Sequence, residues 1–228
     1  MTKEHISVKG LKVNYGETIL ENVFLKARKG EFVSIVGKSG EGKTTLLNAI
    51  AGLADFEGAI RKPEKTAFVF QDYSLFPWMT VKENIAFGAS NNNEDTILEL
   101  VKKIGLEGKE NFYPKQLSGG QQQRVAIARA LASEPDLILL DEPFASLDTF
   151  TRMHMQEWLK EMKKESNATT ILVTHDVDEA MLLSDRVLVL KDKTLQNEFT
   201  IPFTKPRANE IRFEPEFQEL KKEIIKSI

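Results

Sequence analysis

The alternation of apolar and polar side chains at the start of the chain predicts an antiparallel β region. Residues 5–15 alternate between apolar and polar positions, which is typical of a strand with one buried face. Residues 19–26 repeat the pattern, and Lys29-Gly30 has the composition of a turn. We therefore expect a small antiparallel sheet before the chain enters its next element.

Uninterrupted apolar runs further along the chain predict a second sheet that is covered on both faces. Such runs are typical of parallel strands, because the crossover helices pack on each side of the sheet. They occur at residues 32–36, 67–70, 137–140, 170–173 and 186–190. The chain is therefore expected to be an α/β protein with a mainly parallel core sheet.

Helical periodicity dominates the segment between about residue 85 and residue 135. Its apolar residues share one face of each predicted helix, with Asn93 as a cap and Gly105 as a stop. Another amphipathic helix is predicted near the C-terminus, at about 217–228, and we expect it to pack on the domain. The helical segment thus separates two strand-rich parts of the chain.

The composition narrows the classes of function that the chain can have. Its 228 residues carry a net charge of −3, so nothing indicates the basic surface that nucleic-acid binding usually requires. The chain has no cysteine, which excludes disulfides and thiolate metal sites and suits a reducing compartment. We also expect no secretion signal and no membrane span, since no apolar run approaches 18 residues.

One glycine-rich segment carries the strongest indication of function. The segment Gly37-Lys38-Ser39-Gly40-Glu41-Gly42-Lys43-Thr44 fits the phosphate-binding loop pattern G-x-x-x-x-G-K-[ST], and Thr45 follows it. It lies between the predicted strand at 32–36 and a predicted helix at 44–51, which is the context that the pattern needs. Backbone N–H groups and the helix N-terminus would surround phosphate oxygens. Lys43 would add a full charge near the β- and γ-phosphates, and Thr44 would offer a hydroxyl to Mg²⁺.

Several polar side chains follow the predicted strands of the core sheet, where open α/β sheets bind their ligands. Gln71, the pair Asp141-Glu142 and His175 each come at the end of one apolar run. Taken alone, the two carboxylates would be a solvated pair and His175 a packed or surface histidine. Tyr15 has two interpretations: an aromatic that fills the core edge at a strand end, or a ring that stacks on a nucleotide base.

The order and spacing of these motifs resemble the nucleotide-binding subunit of ATP-binding cassette (ABC) transporters. The family's signature pentapeptide is present as Leu117-Ser118-Gly119-Gly120-Gln121. The other matches are Gln71 for the Q-loop, 137–142 for the Walker B strand with its adjacent glutamate, Ala145-Ser146-Leu147-Asp148 for the D-loop, and His175 for the switch histidine. The resemblance covers about residues 5–195.

The resemblance implies a particular fold and order of subdomains. The fold would be a phosphate-loop NTPase of ABC type, with a mainly parallel core sheet, an N-terminal antiparallel β region and an inserted helical subdomain. Residues 1–228 would form a single ATPase domain. Its core subdomain would span about 1–84 and 136–200, its helical subdomain about 85–135, and its C-terminal tail about 201–228.

The resemblance also implies roles around ATP and Mg²⁺. Asp141, Thr44 and Gln71 would hold Mg²⁺, while Glu142 would orient or deprotonate the attacking water. Lys43, Gln71 and His175 would act with Glu142 in catalysis, and Tyr15 would stack on adenine. The remaining residues expected at the nucleotide are Ser118, Gly119, Gly120 and Gln121 of the signature and Asp148 of the D-loop. By resemblance the signature serves the opposite subunit, so that two chains enclose two ATP molecules.

Glu41 departs from the small residue that the family usually has in its phosphate loop. A carboxylate close to phosphates is unfavourable because like charges repel. We therefore expect the Glu41 side chain to point to solvent.

Three classes of protein contain such a loop, and the sequence favours a transporter ATPase. A soluble ABC ATPase of DNA repair carries a long coiled coil between loop and signature, where only about 75 residues lie here. One that acts in translation usually holds two cassettes, and a phosphate-loop kinase lacks the signature. The segments 75–85, 141–144 and Lys205-Pro206-Arg207 resemble bacterial importer subunits of the nitrate, sulfonate, taurine and bicarbonate group.

An importer subunit of this kind implies further partners. These would be a second copy of the chain, membrane permease subunits on separate chains and, indirectly, an extracytoplasmic substrate-binding protein that helps to select the cargo. The chain would lie peripherally at the cytoplasmic face of the inner membrane.

Phe76 and Trp78 flank Pro77 and are expected to dock the permease. The alternative is that both rings pack into the chain's own helical region.

Overall fold

The computed structural model describes residues 4–90, 93–205 and 207–228, so Pro206 of the predicted Lys205-Pro206-Arg207 motif lies outside the described residues. The strands are β1 (Glu4–Asn14), β2 (Thr18–Arg28), β3 (Phe32–Val36), β4 (Glu57–Arg61), β5 (Thr66–Val69), β6 (Leu137–Asp141), β7 (Thr169–Thr174), β8 (Arg186–Lys191) and β9 (Thr194–Thr200). The α-helices are α1 (Lys43–Ala51), α2 (Val81–Gly88), α3 (Glu94–Lys103), α4 (Gly119–Ala132), α5 (Thr149–Glu165), α6 (Val177–Leu183) and α7 (Pro215–Ser227). Short 3₁₀ helices cover Pro114–Gln116 and Asn209–Phe213.

The strands form two sheets, and both were expected from the sequence. The first is three-stranded and antiparallel, in the order β2-β1-β4. The second is six-stranded, in the order β5-β6-β7-β3-β8-β9, and is parallel except for β9, which runs antiparallel to β8. The predicted α/β class, a mainly parallel core sheet beside an N-terminal antiparallel region, is therefore confirmed.

Three elements and one boundary differ from the prediction. The strands β4 and β9 and the helix α6 were not predicted, and α2 begins at Val81 rather than at about 85. The side chain of Thr80 accepts a hydrogen bond from the Glu83 backbone, and the Glu83 carboxylate accepts one from the Thr80 backbone. This capping box fixes the earlier start of α2, because it satisfies N–H groups that the first turn leaves unpaired.

Three apolar clusters hold these layers together. One lies between the core sheet and α4–α7, and a second joins the other face of that sheet to α1 and the antiparallel sheet. The third belongs to α2–α4 and includes Ile85, Val101 and Val125. Phe217 and Ile224 of α7 are fully buried in the first cluster, which confirms that the C-terminal helix packs on the domain.

The strand register brings the predicted site to one edge of the core sheet. Val36 at the end of β3 pairs with Thr174 at the end of β7, and Asp141 at the end of β6 pairs with Val173. The residues that follow these strands therefore lie side by side at the carboxyl edge of the sheet. Within the described part of the chain, every helix is too short or too polar to cross a lipid bilayer.

Candidate active site

The phosphate loop connects β3 to α1 and depends on two glycines. A Cβ atom at Gly37 would overlap the carbonyl oxygen of Leu190, because the chain passes directly against β8 there. Gly42 caps α1 with a φ of 97°, a left-handed backbone conformation that residues other than glycine rarely adopt. These positions leave the loop free to present its N–H groups at the start of the helix.

Lys43 is held inside the loop. Its side chain is 5% exposed, and its ammonium donates hydrogen bonds to the carbonyl oxygens of Gly37 at 2.9 Å and Lys38 at 2.8 Å. Burial lowers the pKa of Lys43, and the nearby carboxylates of Glu142 and Asp141 act in the opposite direction. The ammonium is therefore a desolvated cation fixed in the position where a phosphate would be stabilised most strongly.

Asp141 and Thr44 form a pair of oxygen ligands at the same edge. The Thr44 hydroxyl donates to Oδ1 of Asp141 at 3.0 Å, and Asp141 is 4% exposed. Burial raises the pKa of Asp141, and the hydrogen bond from Thr44 opposes that shift. Among the described residues, no three His, Cys, Asp or Glu side chains form a metal-binding group. A hydroxyl and one carboxylate fit Mg²⁺, which keeps few protein ligands and shares the rest with water and phosphates.

Glu142 contacts His175 beside this pair. Oε2 of Glu142 lies 3.0 Å from Nδ1 of His175, and the two side chains are 20% and 56% exposed. The backbone of Glu142 has a φ of 42°, the left-handed region, and its N–H donates to the carbonyl of Val173. A strained residue in this position turns the chain sharply at the end of β6 and brings the carboxylate over the loop.

A cavity of about 360 Å³ brings part of the predicted site together. It is lined by Tyr15, Ile19, Ser39, Gly40, Gly42, Lys43, Thr44, Thr45, Gln71 and Glu142. Asp141 and His175 are not among its lining residues and connect to it through their contacts with Thr44 and Glu142. Tyr15 is 57% exposed, so it does not fill the edge of the core. Glu41 is half-buried, lines a neighbouring cavity with Glu17 and Lys193, and its carboxylate acts to raise the pKa of Lys43, so the expectation that it points to solvent stays a prediction.

The signature residues do not line this cavity. Ser118 caps α4, and its side chain and that of Gln121 exchange hydrogen bonds with each other's backbone N–H groups. A Cβ at Gly119 would lie 3.1 Å from the Tyr73 hydroxyl, and one at Gly120 would overlap Cγ2 of Thr151. Gly120 thus allows α4 to approach α5 closely, while Gly119 leaves room for the Tyr73 hydroxyl.

Asp148 of the predicted D-loop lies on the same side as the signature. Its carboxylate caps α5 by accepting hydrogen bonds from the N–H groups of Phe150 and Thr151, both at 3.1 Å. The Tyr73 hydroxyl lies 2.6 Å from the Ser146 hydroxyl and joins the segment after Gln71 to the D-loop. Sequence reasoning missed Tyr73, since nothing in its local sequence indicates this long-range contact.

An aromatic patch, defined here as Phe76, Trp78 and Phe87, lies on the helical part. The ring of Phe76 is 4.5 Å from that of Phe87 and 5.6 Å from that of Trp78. Trp78 is 69% exposed and Phe87 is 64% exposed, whereas Phe76 is half-buried under the guanidinium of Arg129. Sequence reasoning missed Phe87. Of the two predicted rings, Phe76 packs on the chain and Trp78 faces outward.

Asn84 fixes the backbone of this patch. It is fully buried, accepts a hydrogen bond from the N–H of Phe76 at 2.9 Å, and donates to the carbonyl groups of Phe76, Met79 and Thr80. The loop that carries Trp78 is therefore held in one conformation although its indole ring is exposed.

A glycine loop, a buried lysine, a hydroxyl–carboxylate pair and a second carboxylate at the carboxyl edge of a parallel sheet define a phosphate-loop nucleotide-binding protein. The chain belongs to the ABC transporter family, whose model matches residues 20–145. It is 44% identical to the aliphatic sulfonates import ATP-binding protein SsuB of Bacillus cereus over 225 residues, which cover 91% of this chain and 87% of the relative. It is 46% identical to SsuB 2 of Pseudomonas syringae pv. tomato, covering 84% and 85% of the two chains.

Solved structures agree with this assignment. The dimeric structure of a post-hydrolysis state of the ATP-binding cassette MJ0796, bound to ADP and Pi, has a TM-score of 0.77 and 35% identity. The match covers 87% of this chain and 100% of that one. A second dimeric structure of MJ0796, described as a bacterial ABC transporter cassette, has a TM-score of 0.76 and 36% identity. The predicted resemblance to an ABC importer cassette of the nitrate, sulfonate, taurine and bicarbonate group is confirmed.

Proposed function

We propose that this chain is the ATP-hydrolysing subunit of an ABC importer that takes up aliphatic sulfonates. The observation that carries the proposal is the cavity lined by Lys43, Thr44 and Glu142. Asp141 contacts Thr44, and His175 contacts Glu142, beside this cavity. The cargo is inferred from the printed names of the sulfonate-import relatives.

The residues in and beside the cavity have separate roles in binding ATP and Mg²⁺. The loop from Gly37 to Thr45 and the ammonium of Lys43 bind the phosphates of ATP, and Tyr15 stacks on the base. Thr44, Asp141 and Gln71 would hold Mg²⁺, which neutralises charge on the phosphates when it is bound.

Glu142 acts on the attacking water, as its position beside the phosphate loop supports. Its carboxylate orients or deprotonates that water, and removal of a general base typically costs about 10²–10⁴-fold in rate. His175 holds Glu142 through its Nδ1 atom and, in the closed state, donates a hydrogen bond to the γ-phosphate. The Glu142–His175 contact thus connects the general base to the group that senses the phosphate.

Two copies of the chain complete two ATP sites. Ser118, Gly119, Gly120, Gln121 and Asp148 lie outside the cavity of their own chain, which supports a role at the nucleotide of the partner. The helix α4 begins at this signature, so its N-terminus can face an anion held by a second copy.

The rest of the importer is carried by other chains. Residues 1–228 form one ATPase domain, with a core of about 1–80 and 136–200, a helical subdomain from Val81 to about 135, and a tail of about 201–228. Membrane permease subunits dock on the aromatic patch, and an extracytoplasmic binding protein delivers the cargo to them. The chain lies at the cytoplasmic face of the inner membrane.

ATP turnover by purified Lys43→Ala tests the proposal. We expect turnover to be lost, because Lys43 provides the buried positive charge of the cavity, while the melting curve stays close to that of wild type. The matched control is Lys102→Ala, which removes an exposed lysine from α3 and should leave turnover unchanged. Wild-type activity in Lys43→Ala, or no activity in the wild-type chain with or without its permease, would overturn the proposal.

A further inference from the structure

A second cavity lies at the opposite edge of the core sheet from the nucleotide cavity. Its volume is about 460 Å³, and it is bounded by Phe32 at the start of β3 and by Asp185 immediately before β8. The C-terminal half of α5, the end of α6, Lys205 and Arg207 form its remaining walls. We call it the basic cavity, because its lining includes Lys160, Lys163, Lys164, Lys205 and Arg207.

The positive charge of the basic cavity is not balanced by its acidic residues. Among the described residues that line it, Asp185 is the one carboxylate. Its Oδ2 already accepts a hydrogen bond from the backbone N–H of Phe32, and its Oδ1 pairs with Lys205, both at 2.8 Å. Lys160 pairs with Glu157 at 2.6 Å. Asp185 also attracts Lys163 and Arg207, but one carboxylate that already pairs with Lys205 cannot balance them, so the lining keeps a net positive charge.

Arg207 supplies a fixed charge at the back of the cavity. It is 3% exposed. Its guanidinium donates hydrogen bonds to several backbone carbonyl groups, including those of Met181, Ser184 and Phe203. Carbonyl groups hold the guanidinium in place but leave its net charge intact. Burial lowers the pKa of Arg207, as expected for a cation removed from water.

The lysines retain hydrogen-bond donors for a ligand. An ammonium group has three N–H donors. Within the described chain, Lys163 donates to the carbonyl of Ala168, and Lys164 is exposed at the cavity mouth. Burial and then repulsion from Lys205 lower the pKa of Lys163 to about 8, against the attraction of Asp185. An anion beside Lys163 would act in the same direction as Asp185 and favour the charged lysine.

The floor of the basic cavity is apolar. Phe32, Leu182 and Leu183 line it, and the ammonium of Lys205 lies 5.6 Å from the centroid of the Phe32 ring. A water molecule occupies roughly 30 Å³, so the cavity is several times larger than a bare oxyanion needs. The remaining volume faces hydrophobic side chains and suits a short hydrocarbon portion.

We propose that the basic cavity binds a small organic anion, with an oxyanion head group on the lysines and an apolar body against Phe32, Leu182 and Leu183. The site is separate from the nucleotide cavity, because the two lie at opposite ends of the parallel strands. A ligand there contacts α5, which begins at the D-loop residue Asp148 and ends at the basic cavity. Binding of an anion in the basic cavity could therefore affect the D-loop through α5, although the anion does not contact ATP.

Calorimetric titration of the full chain with 1-pentanesulfonate tests the proposal. Saturating MgADP keeps the phosphate loop filled, so that the probe cannot bind at Lys43. We expect one binding event per chain, and weaker binding of inorganic sulfate, which has the head group without the apolar body. Loss of one charged hydrogen bond should lower the affinity for 1-pentanesulfonate by about tenfold or more in Lys163→Gln.

Two further variants separate the site from general attraction to lysines. Lys164→Gln removes an exposed charge from the cavity mouth and should weaken binding, whereas Lys222→Gln removes an exposed charge from α7 and should not. Lys164→Gln also decides the matter if Lys163→Gln does not fold. The proposal is wrong if no saturable binding occurs, or if Lys164→Gln and Lys222→Gln bind equally. Equal affinity for sulfate and 1-pentanesulfonate would overturn the assignment of an organic ligand.

Discussion

The contact between the signature helix and α5 should be sensitive to a single methyl group at Gly120. In Gly120→Ala, the new Cβ would overlap Cγ2 of Thr151, while the next nearest atom, Cβ of Thr151, would lie 3.9 Å away in ordinary contact. The clash is therefore with one methyl group. Thr151 can relieve it only by rotating its side chain or by moving the start of α5 away from α4.

The expected effect is a moderate loss of stability. Overpacking of this kind costs about 1–3 kcal/mol, and replacing glycine by alanine within a helix returns roughly 0.5–1 kcal/mol. The two ranges leave a net destabilisation of about 0 to 2.5 kcal/mol, and the middle of that interval is about 1.2 kcal/mol. In a chain of this length, a loss at the middle of that interval lowers the melting temperature by roughly 2–5 °C.

Urea denaturation of a double-mutant cycle with Thr151→Ser provides the assay. Serine lacks Cγ2 but keeps a hydroxyl next to the Asp148 carboxylate, whose pKa is lowered by its hydrogen bonds to residue 151. In the Thr151→Ser background, Gly120→Ala should be neutral or slightly stabilising. If Gly120→Ala destabilises the chain equally in both backgrounds, the methyl clash is not the cause and the reasoning is refuted.

Two further predictions concern activity and assembly. Glu142→Gln should bind ATP but turn it over about 10²–10⁴-fold more slowly. In size-exclusion chromatography with ATP, a larger fraction of Glu142→Gln than of wild type should elute as a dimer. An equal monomer fraction at saturating ATP would contradict the two-chain site. Trp78→Ala should keep basal ATP turnover and the melting temperature but lose copurification with the permease, because truncating an interface aromatic commonly costs about 2 kcal/mol or more. Phe213→Ala, which removes a ring that is 84% exposed elsewhere, is its control and should still assemble; normal assembly of Trp78→Ala would exclude the docking surface.

The sequence predicted most of the fold because the central strands β3, β6 and β7 are buried at every position and consist mainly of apolar residues. All five residues of β6 are buried, so its pattern is unambiguous. In contrast, β4 and β9 are mostly exposed and show no clear alternation. The helix α6 has only seven residues, six of them buried, so it lacks the polar face that identifies an amphipathic helix.

The candidate site was predictable to the extent that it follows strand ends. Thr44, Asp141 and Glu142 are each adjacent to a buried strand or a glycine loop, and the parallel register brings them together. The contacts of Tyr73 and the basic cavity arise from segments far apart in sequence, such as α5 and Arg207. Spacing within one segment carries no information about such neighbours.

Glu142 has a left-handed backbone conformation that disfavours glutamate, although its carboxylate is needed for the contact with His175. A non-glycine residue in this region typically costs about 1–3 kcal/mol, and the neighbouring strands must supply that energy. Glycine would adopt the same φ of 42° without penalty, but it would remove the carboxylate that faces His175. The chain thus has a glutamate rather than a glycine at the turn after β6, although the backbone conformation there disfavours it. Selection for thermal resistance alone would therefore favour glycine over glutamate at this position.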